Sequence, residues 1–181
     1  MTAYRRLRVS GGRYFFTVAL ADRSASTLVD HIDSLREAFV ATRAERPFEC
    51  GAMVVLPDHL HAVWTLPAGD ADFATRWGAI KSRFTRAVKD AGMMGWNPIL
   101  RTRSKVAKGD AGIWQRRFWE HCIRNAHDFE RHVRYCWGNP VEHGYVQRAV
   151  DWPYSSIHRD IRLGQVARDW AGAVEEGEFG E

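Results

Sequence analysis

The first residues whose types and spacing could do chemistry are two histidines in the run PDHLH, His59 and His61. On a β-strand, residues i and i+2 point to the same face, so the two imidazole rings would lie side by side. Neutral imidazole is a common metal ligand, and two such rings can share one divalent cation. A histidine pair with this spacing also occurs as a structural or surface feature of strands, so both interpretations stay open at this point.

A second candidate group lies on a predicted helix, where Tyr135 and Asn139 are four residues apart and therefore share a face. Asp128 and His132 belong to the same polar stripe. A tyrosine hydroxyl has a reference pKa of about 10 and needs a metal or a base before it can act as a nucleophile. The Asn139 carbonyl could serve as a third metal ligand. Without such help, Tyr135 would simply pack with its ring half buried.

Together, the two groups predict a chemistry that neither predicts alone. A cation held by two histidines and an amide would polarise a scissile phosphate, and a nearby tyrosine would attack the phosphorus in line. The product, a covalent phosphotyrosine, keeps the energy of the broken bond for a later rejoining step. This combination is typical of DNA strand transfer.

The length and composition indicate one soluble globular domain. The chain has 181 residues, of which 45% are hydrophobic and 27% charged, and no apolar run approaches the roughly 18 residues of a membrane span. The first ten residues contain three arginines and no apolar stretch, so they do not resemble a secretory signal. Three widely spaced cysteines argue against a disulfide framework and a zinc site, and favour the reducing cytoplasm.

Charge is distributed unevenly along the chain, whose net charge is +4. Cations dominate between Arg76 and Arg117, and acidic residues dominate the end, where Asp169, Glu175, Glu176, Glu178 and Glu181 follow. A basic tract among aromatic residues suits a polyanion such as DNA or RNA, although a solvated charged surface has the same composition. The acidic end could lie over a basic groove and compete with DNA. In that case, deletion of residues 165–181 would change the affinity for DNA.

The elements that must position these residues follow the order β-α-β-β-α-loop-β-α. The pattern predicts strands over residues 13–20, 48–56, 59–66 and 113–123, and helices over residues 27–43, 72–89 and from Asn125 or Asp128 to about Gly138. Asn139-Pro140 is expected to stop the last helix, residues 92–112 to form a loop, and an irregular tail to begin at Trp152-Pro153. This order predicts a ferredoxin-like (RRM-like) α+β fold, with one antiparallel sheet and its helices on one face. We expect a domain over residues 1–150 and a C-terminal tail over residues 151–181.

The PDHLH run resembles the HUH motif (histidine, bulky hydrophobic residue, histidine) of single-tyrosine transposases. The resemblance extends over residues 4–160 through YRR at 4–6, GG at 11–12, YFFTV at 14–18, ECGAMVVL at 49–56, IK at 80–81, WQRRFWEH at 114–121, IRN at 123–125, NPV at 139–141, HG at 143–144 and WPYSS at 152–156. With Tyr135 and Asn139, these motifs make the chain resemble the REP-associated tyrosine transposases, an HUH endonuclease family of insertion-sequence type.

This resemblance implies a metal-dependent endonuclease and strand transferase. His59, His61 and Asn139 would bind Mg²⁺ or Mn²⁺, and Tyr135 would be the nucleophile that leaves a 5′-phosphotyrosine and a free 3′-OH. The family acts on single-stranded DNA hairpins, the repetitive extragenic palindromes (REP elements), with a short tetranucleotide at the hairpin foot. The resemblance also implies a monomer without a membrane partner, and a dimer stays open.

Eight cations are expected to neutralise DNA backbone phosphates: Arg5, Arg6, Arg8, Arg101, Arg103, Lys105, Arg116 and Arg117. His132 shares the face of the tyrosine and is expected to contact DNA, although a surface position without a role stays open for it. The rings of Trp114, Phe118 and Trp119 could stack on unpaired bases, but we expect them in the sheet core. His143 is expected at the surface, and Trp152-Pro153-Tyr154 is expected to pack the tail onto the domain.

Other functions stay open at this stage. A regulator that binds structured DNA or RNA without chemistry would never cleave, and the complete set of histidines, tyrosine and asparagine speaks against it. A metallohydrolase that uses His59 and His61 with water as the nucleophile would form no covalent protein–DNA species. It would also keep its activity in a Tyr135→Phe variant. An inactive relative with an empty metal site is a further alternative.

Overall fold

The computed structural model describes residues 7–92, 112–171 and 179–180. Within them, the elements are β1 (Arg13–Ala19), α1 (Thr27–Asp30), α2 (Ile32–Glu45), β2 (Glu49–Val55), β3 (His59–Thr65), α3 (Phe73–Asp90), β4 (Trp119–Cys122), α4 (Ala126–Glu142), a 3₁₀ helix (Ala149–Asp151) and α5 (Ile157–Arg162). This order confirms the predicted succession of strands and helices. Of the predicted loop at 92–112, residues 93–111 lie outside the described residues.

The strands form one antiparallel sheet in the order β2-β3-β1-β4. β3 pairs with β1 so that His61 lies opposite Thr17, and with β2 so that His61 lies opposite Val54. The α+β class and the ferredoxin-like arrangement are therefore confirmed. Because β1 and β3 are the central strands, the histidine pair lies in the middle of the sheet.

The two faces of the sheet are covered by different helices. Tyr14 and Phe16 of β1 point to the face that packs against α2 and α3. Phe15 points to the opposite face and joins a second cluster with Val133 and Cys136 of α4. The expectation that the helices lie on one face thus holds for α2 and α3 and is wrong for α4. Because Phe15 and Val63 of the central strands point to this second face, a single helix layer would leave them in water, and α4 covers them.

α4 carries the tyrosine and extends beyond its predicted end. Its N-terminus is capped by the Asn125 side chain, which accepts a hydrogen bond from the backbone N–H of Asp128 (2.9 Å). Pro140 lies inside the helix and does not stop it, contrary to the prediction. Proline has no N–H and so removes one hydrogen bond of the helix. Pro140 lies near the C-terminus of α4, where the residues after it still close the last turn. The backbone N–H of His143 indeed donates to the Asn139 carbonyl (3.0 Å).

Three smaller predictions are corrected. The helix expected over residues 27–43 is interrupted at His31, whose backbone angles (φ −118°, ψ 38°) leave the helical region. The strand expected over residues 113–123 is reduced to Trp119–Cys122, and Trp114 forms only an isolated bridge. The segment after residue 151 is not irregular, since Ser155 pairs with Val54 and α5 follows. β2 is an edge strand, and this pairing satisfies part of its exposed backbone.

Candidate active site

β3 places the two histidines of the PDHLH run on the face of the sheet that α4 covers. The centroids of the His59 and His61 rings are 5.0 Å apart and the rings are nearly perpendicular, at 83°. Leu60 points the other way, into the cluster under α2 and α3. Both histidines are buried, with 1% and 0% exposure. The predicted shared face is thus confirmed, and the alternative of a surface pair is wrong.

Each histidine has its Nδ1 atom held by another side chain. Nδ1 of His59 is 2.8 Å from Asp58 Oδ1, and Nδ1 of His61 is 2.9 Å from Thr17 Oγ1. A carboxylate only accepts, so His59 is the donor of its bond. The Thr17 hydroxyl donates its one proton to the carbonyl oxygen of Phe179 (2.5 Å) and therefore accepts from His61. In the neutral form of both rings, the lone pair that can bind a metal is then on Nε2.

Asp58 holds its position through a second charged neighbour. Its Oδ2 lies 2.6 Å from Nε of Arg23. Burial raises the pKa of Asp58, but the hydrogen bond from His59 and the charges of His59 and Arg23 outweigh it, so the pKa lies below its ordinary value. Asp58 is therefore a charged acceptor at neutral pH, which is the kind of group that orients metal-binding histidines.

α4 brings Tyr135 and Asn139 to the histidine pair. The centroid of the Tyr135 ring lies 5.1 Å from that of His61. Nδ2 of Asn139 donates a hydrogen bond to the Tyr135 hydroxyl oxygen (3.2 Å). With this nitrogen directed to the tyrosine, the amide can offer its carbonyl oxygen as a ligand. The structure thus brings together the four residues that were singled out as the catalytic and metal-binding group.

The Tyr135 ring is covered by a residue from the C-terminal end of the chain. Phe179 stacks on it with ring centroids 3.6 Å apart and ring planes 12° from parallel. The backbone carbonyl of Phe179 accepts the bond from Thr17 described above. Gly180 lies so close to Trp119 that a Cβ there would overlap the indole ring. In this conformation, Phe179 covers one face of the Tyr135 ring.

His132 is buried beside the tyrosine. Its ring lies 4.7 Å from the rings of both Phe15 and His121, and its Nδ1 lies 2.7 Å from the backbone oxygen of Asp128. Burial lowers the pKa of His132, and the bond to Asp128 offsets this only in part. The structure therefore places His132 inside the protein, as a neutral ring, and not on its surface.

A separate group of side chains offers another place for a cation. His121, Asp128 and His132 bring possible ligand atoms within 4.8 Å of one another, which is close enough to hold a divalent ion. His121 Nε2 and the backbone N–H of Arg124 bond the Asp128 carboxylate, at 2.9 and 3.0 Å. This group also anchors the start of α4, and spacing in the sequence did not single it out as a metal site.

The remaining sequence predictions concern the surface. Arg8, Arg116 and Arg117 are exposed. Arg5, Arg6, Arg101, Arg103 and Lys105 lie outside the described residues, as do Glu175, Glu176, Glu178 and Glu181. Trp114 and Phe118 pack under α2 and α3, and Trp119 packs under α4, so the prediction that these rings belong to the core is confirmed.

Known proteins are similar to this chain in sequence and in fold. The chain is 44% identical over 181 residues to the REP-associated tyrosine transposase of Escherichia coli (strain K12). This match covers 100% of this chain and 98% of that protein. A relative from Haemophilus influenzae is 44% identical over 173 residues, which are 95% of this chain and 94% of the relative. No family model matches the chain.

A solved structure of a protein with the same name as these relatives also matches this chain. It is described as a REP-associated tyrosine transposase bound to a REP hairpin, and it matches this chain with a TM-score of 0.85 at 44% identity, over 100% of this chain and 98% of that one. None of the helices in the described part of the chain combines the length and hydropathy that a membrane span needs.

Proposed function

Because the chain belongs to the family of REP-associated tyrosine transposases, we propose that it cleaves single-stranded DNA at hairpins of the REP type and becomes joined to it through Tyr135. The solved relative that carries a REP hairpin supports this choice of substrate. A DNA substrate also supports a cytoplasmic location. The histidine pair and the tyrosine meet within one chain, which supports a monomer as the active unit.

The observation that carries the proposal is the convergence of the tyrosine and the two histidines. The Tyr135 ring lies 5.1 Å from the His61 ring and receives a hydrogen bond from Asn139. Both histidines have Nδ1 engaged by acceptors, so the metal-binding lone pairs are on Nε2. Two imidazole nitrogens and an amide oxygen can hold a divalent cation, and the resemblance to this family favours Mg²⁺ or Mn²⁺. We assign His59, His61 and Asn139 as its ligands, and the cation would act there as a Lewis acid on the scissile phosphate.

The protein side chains would carry out the transfer itself. The Tyr135 hydroxyl oxygen forms a bond to phosphorus while the bond between phosphorus and the 3′ oxygen breaks. The hydroxyl proton leaves the tyrosine, the 3′ oxygen gains a proton, and the 5′ phosphate stays on the protein. Asn139, which bonds the hydroxyl oxygen at 3.2 Å, would fix the direction of attack.

The DNA backbone would be held by surface cations. Arg8, Arg116 and Arg117 are exposed and would neutralise phosphates, together with Arg5, Arg6, Arg101, Arg103 and Lys105 of the segments outside the described residues. His132 would touch DNA only after Phe179 leaves, since the rings of the two residues are 5.3 Å apart.

The test is a denaturing gel of labelled hairpin oligonucleotides, copied from repeats that flank the gene and incubated with Mn²⁺ or with EDTA. We expect a shifted covalent band with the wild-type protein and Mn²⁺, and none with EDTA or with Tyr135→Phe. Cleavage that persists in Tyr135→Phe without a shifted band would instead identify a water-using metallohydrolase. Binding without cleavage under every condition would identify a DNA-binding regulator.

Two matched histidine variants distinguish the candidate cation sites. His61→Ala should abolish the covalent band. His121→Ala should keep a Mn²⁺-dependent band, with half-maximal product at a Mn²⁺ concentration similar to that of the wild type. The reverse result would move the metal to the group of His121, Asp128 and His132.

A further inference from the structure

A row of aromatic rings leads from the proposed metal site to the surface. The His143 ring lies 5.1 Å from the ring of His59. The Tyr145 ring follows at 6.0 Å from His143, tilted by 30°, and the Trp152 ring at 5.3 Å from Tyr145, tilted by 31°. The sequence predicted only a surface position for His143 and tail packing for Trp152. The structure confirms both, since His143 is exposed and Trp152 packs against the sheet, and it also joins the two in one row that begins at a proposed metal-binding histidine.

The end of the tyrosine helix builds this row. The backbone N–H groups of Gly144 and Tyr145 bond the carbonyls of Val141 and Pro140, both at 2.9 Å. This is a Schellman turn, and Gly144 adopts the positive φ (+71°) that the turn requires. The turn reverses the chain directly after α4, so residues 143 and 145 lie beside the site that holds Tyr135.

Trp152 holds the far end of the row in place. Its Nε1 donates a hydrogen bond to the Val55 carbonyl on the edge strand β2 (2.9 Å). The indole ring is therefore fixed against the sheet, and Tyr145 rests on it.

His143 and Tyr145 of this row are open to solvent, and the Arg23 guanidinium lies near the start of the row. Tyr145 is 44% exposed, and His143 is also exposed. Burial and the Asp58 carboxylate raise the pKa of Tyr145, while the Arg23 guanidinium opposes this. The Arg23 side chain is 42% exposed, and its Nη2 lies 3.5 Å from Nδ1 of His59. Exposed rings beside a cation are the combination that single-stranded nucleic acid uses, since bases stack on rings and phosphates pair with cations.

We propose that His143 and Tyr145 form a stacking platform for the unpaired bases next to the scissile phosphate, with Arg23 contacting a phosphate of the same strand. The platform rests on the proposed function, because it takes its substrate from the cleavage site. It adds a binding subsite for the single-stranded flank of the hairpin. Specificity for flanking bases would then depend on these rings.

The test compares two oligonucleotides, a hairpin alone and the same hairpin with its single-stranded flank. The flank carries 2-aminopurine at successive positions, because the fluorescence of this base falls when it stacks on a ring. We expect wild-type protein to quench one or two flank positions. Tyr145→Ala should remove the quenching and weaken binding of the flanked hairpin by roughly 5- to 150-fold, the value of one base stack. Binding of the hairpin alone should stay unchanged.

The controls separate stacking from folding. Tyr145→Phe should bind like the wild type, since the ring is kept, and His143→Ala should weaken flanked binding in the same direction as Tyr145→Ala. Leu163→Ala, at a side chain that is 63% exposed on the end of α5, should change neither the quenching nor the binding.

Unchanged quenching in Tyr145→Ala would overturn the platform, and so would an equal loss of binding for both oligonucleotides. If the wild-type protein forms no covalent product, the proposed function fails by itself. If it forms that product but shows no stacking, only the platform fails.

Discussion

At the scale of single residues, the two histidines depend on different kinds of neighbour. His59 is oriented by Asp58, the residue next to it in the chain, and His61 by Thr17, on the neighbouring strand. Thr17 is in turn tied to the carbonyl of Phe179. The orientation of the His59 ring is therefore set locally, whereas that of the His61 ring depends on the sheet and on the C-terminal residue Phe179.

Removal of the Asp58 carboxylate should weaken metal binding. Asp58→Ala frees the His59 ring to rotate and to change its tautomer, and loss of such a partner typically costs about 10- to 100-fold in metal affinity. We expect the Mn²⁺ midpoint for covalent-product formation to rise by that factor, while binding of the hairpin in EDTA stays the same. Asp58→Asn keeps a hydrogen-bond acceptor, so its Mn²⁺ midpoint should lie between those of the wild type and Asp58→Ala. A midpoint equal to that of the wild type in Asp58→Ala would show that the carboxylate does not orient the histidine.

The sequence allowed only part of this site to be predicted. His59 and His61 follow from the two-residue period of a strand, and Tyr135 and Asn139 from the four-residue spacing of a helix. Asp58 carried a usable signal, because an acidic residue beside a metal-binding histidine is a common partner. Thr17 carried none, since its contact with His61 exists only once the register of β1 and β3 is known.

At the scale of elements, α4 must hold the tyrosine over the sheet, and its first turn is anchored by a buried carboxylate. Asp128 accepts hydrogen bonds from His121 Nε2 and from the backbone N–H of Arg124. Burial raises the pKa of Asp128, but the bonds from His121 and Arg124 outweigh it, so the pKa lies far below its ordinary value. The carboxylate therefore stabilises the fold in its charged form.

Asp128→Asn should lower the free energy of unfolding at neutral pH by about 2 kcal/mol, the usual value of hydrogen bonds to a buried charge. The folded pKa is depressed, so this stabilisation is complete above the unfolded pKa of about 4 and is lost as the pH falls towards the folded pKa. Urea unfolding of both proteins between neutral and acidic pH measures the difference, which should shrink as the pH falls. Asp33→Asn, at a side chain that is 84% exposed, should show no comparable change. If the difference in the free energy of unfolding between the two proteins did not depend on pH, the charge of Asp128 would not be the source of the stabilisation.

The elements show where sequence patterns mislead. Proline is expected to end a helix, yet Pro140 lies in the last turn of α4, where the helix can still close through His143. The helices were expected on one face of the sheet, yet Phe15 belongs to a second apolar cluster on the other face, which α4 covers. In both cases the local rule is sound, and the tertiary position of the residue decides whether it applies.

At the scale of the whole molecule, a C-terminal residue, Phe179, packs against the candidate active site. The charge pattern suggested that the acidic end could compete with DNA, but the described contact is made by an aromatic ring, Phe179, on Tyr135. Composition has no signal for such a contact, since the two residues are far apart in the sequence. If Tyr135 is the nucleophile, as proposed, we expect Phe179 to move away from its ring before a phosphate reaches it.

Phe179→Ala should therefore increase the initial rate of covalent-product formation. Burial of a phenylalanine ring stabilises a contact by about 2 kcal/mol, so its loss could raise the uncovered population by up to about 30-fold. The measurement is the initial rate on a flanked hairpin at saturating Mn²⁺, with the melting temperature of each protein recorded beside it. Trp170→Ala is the matched control, because this ring of the same C-terminal segment contacts Trp137 at 5.5 Å and should leave the rate unchanged. An equal or slower rate in Phe179→Ala at an unchanged melting temperature would mean that the ring supports the tyrosine and does not block it.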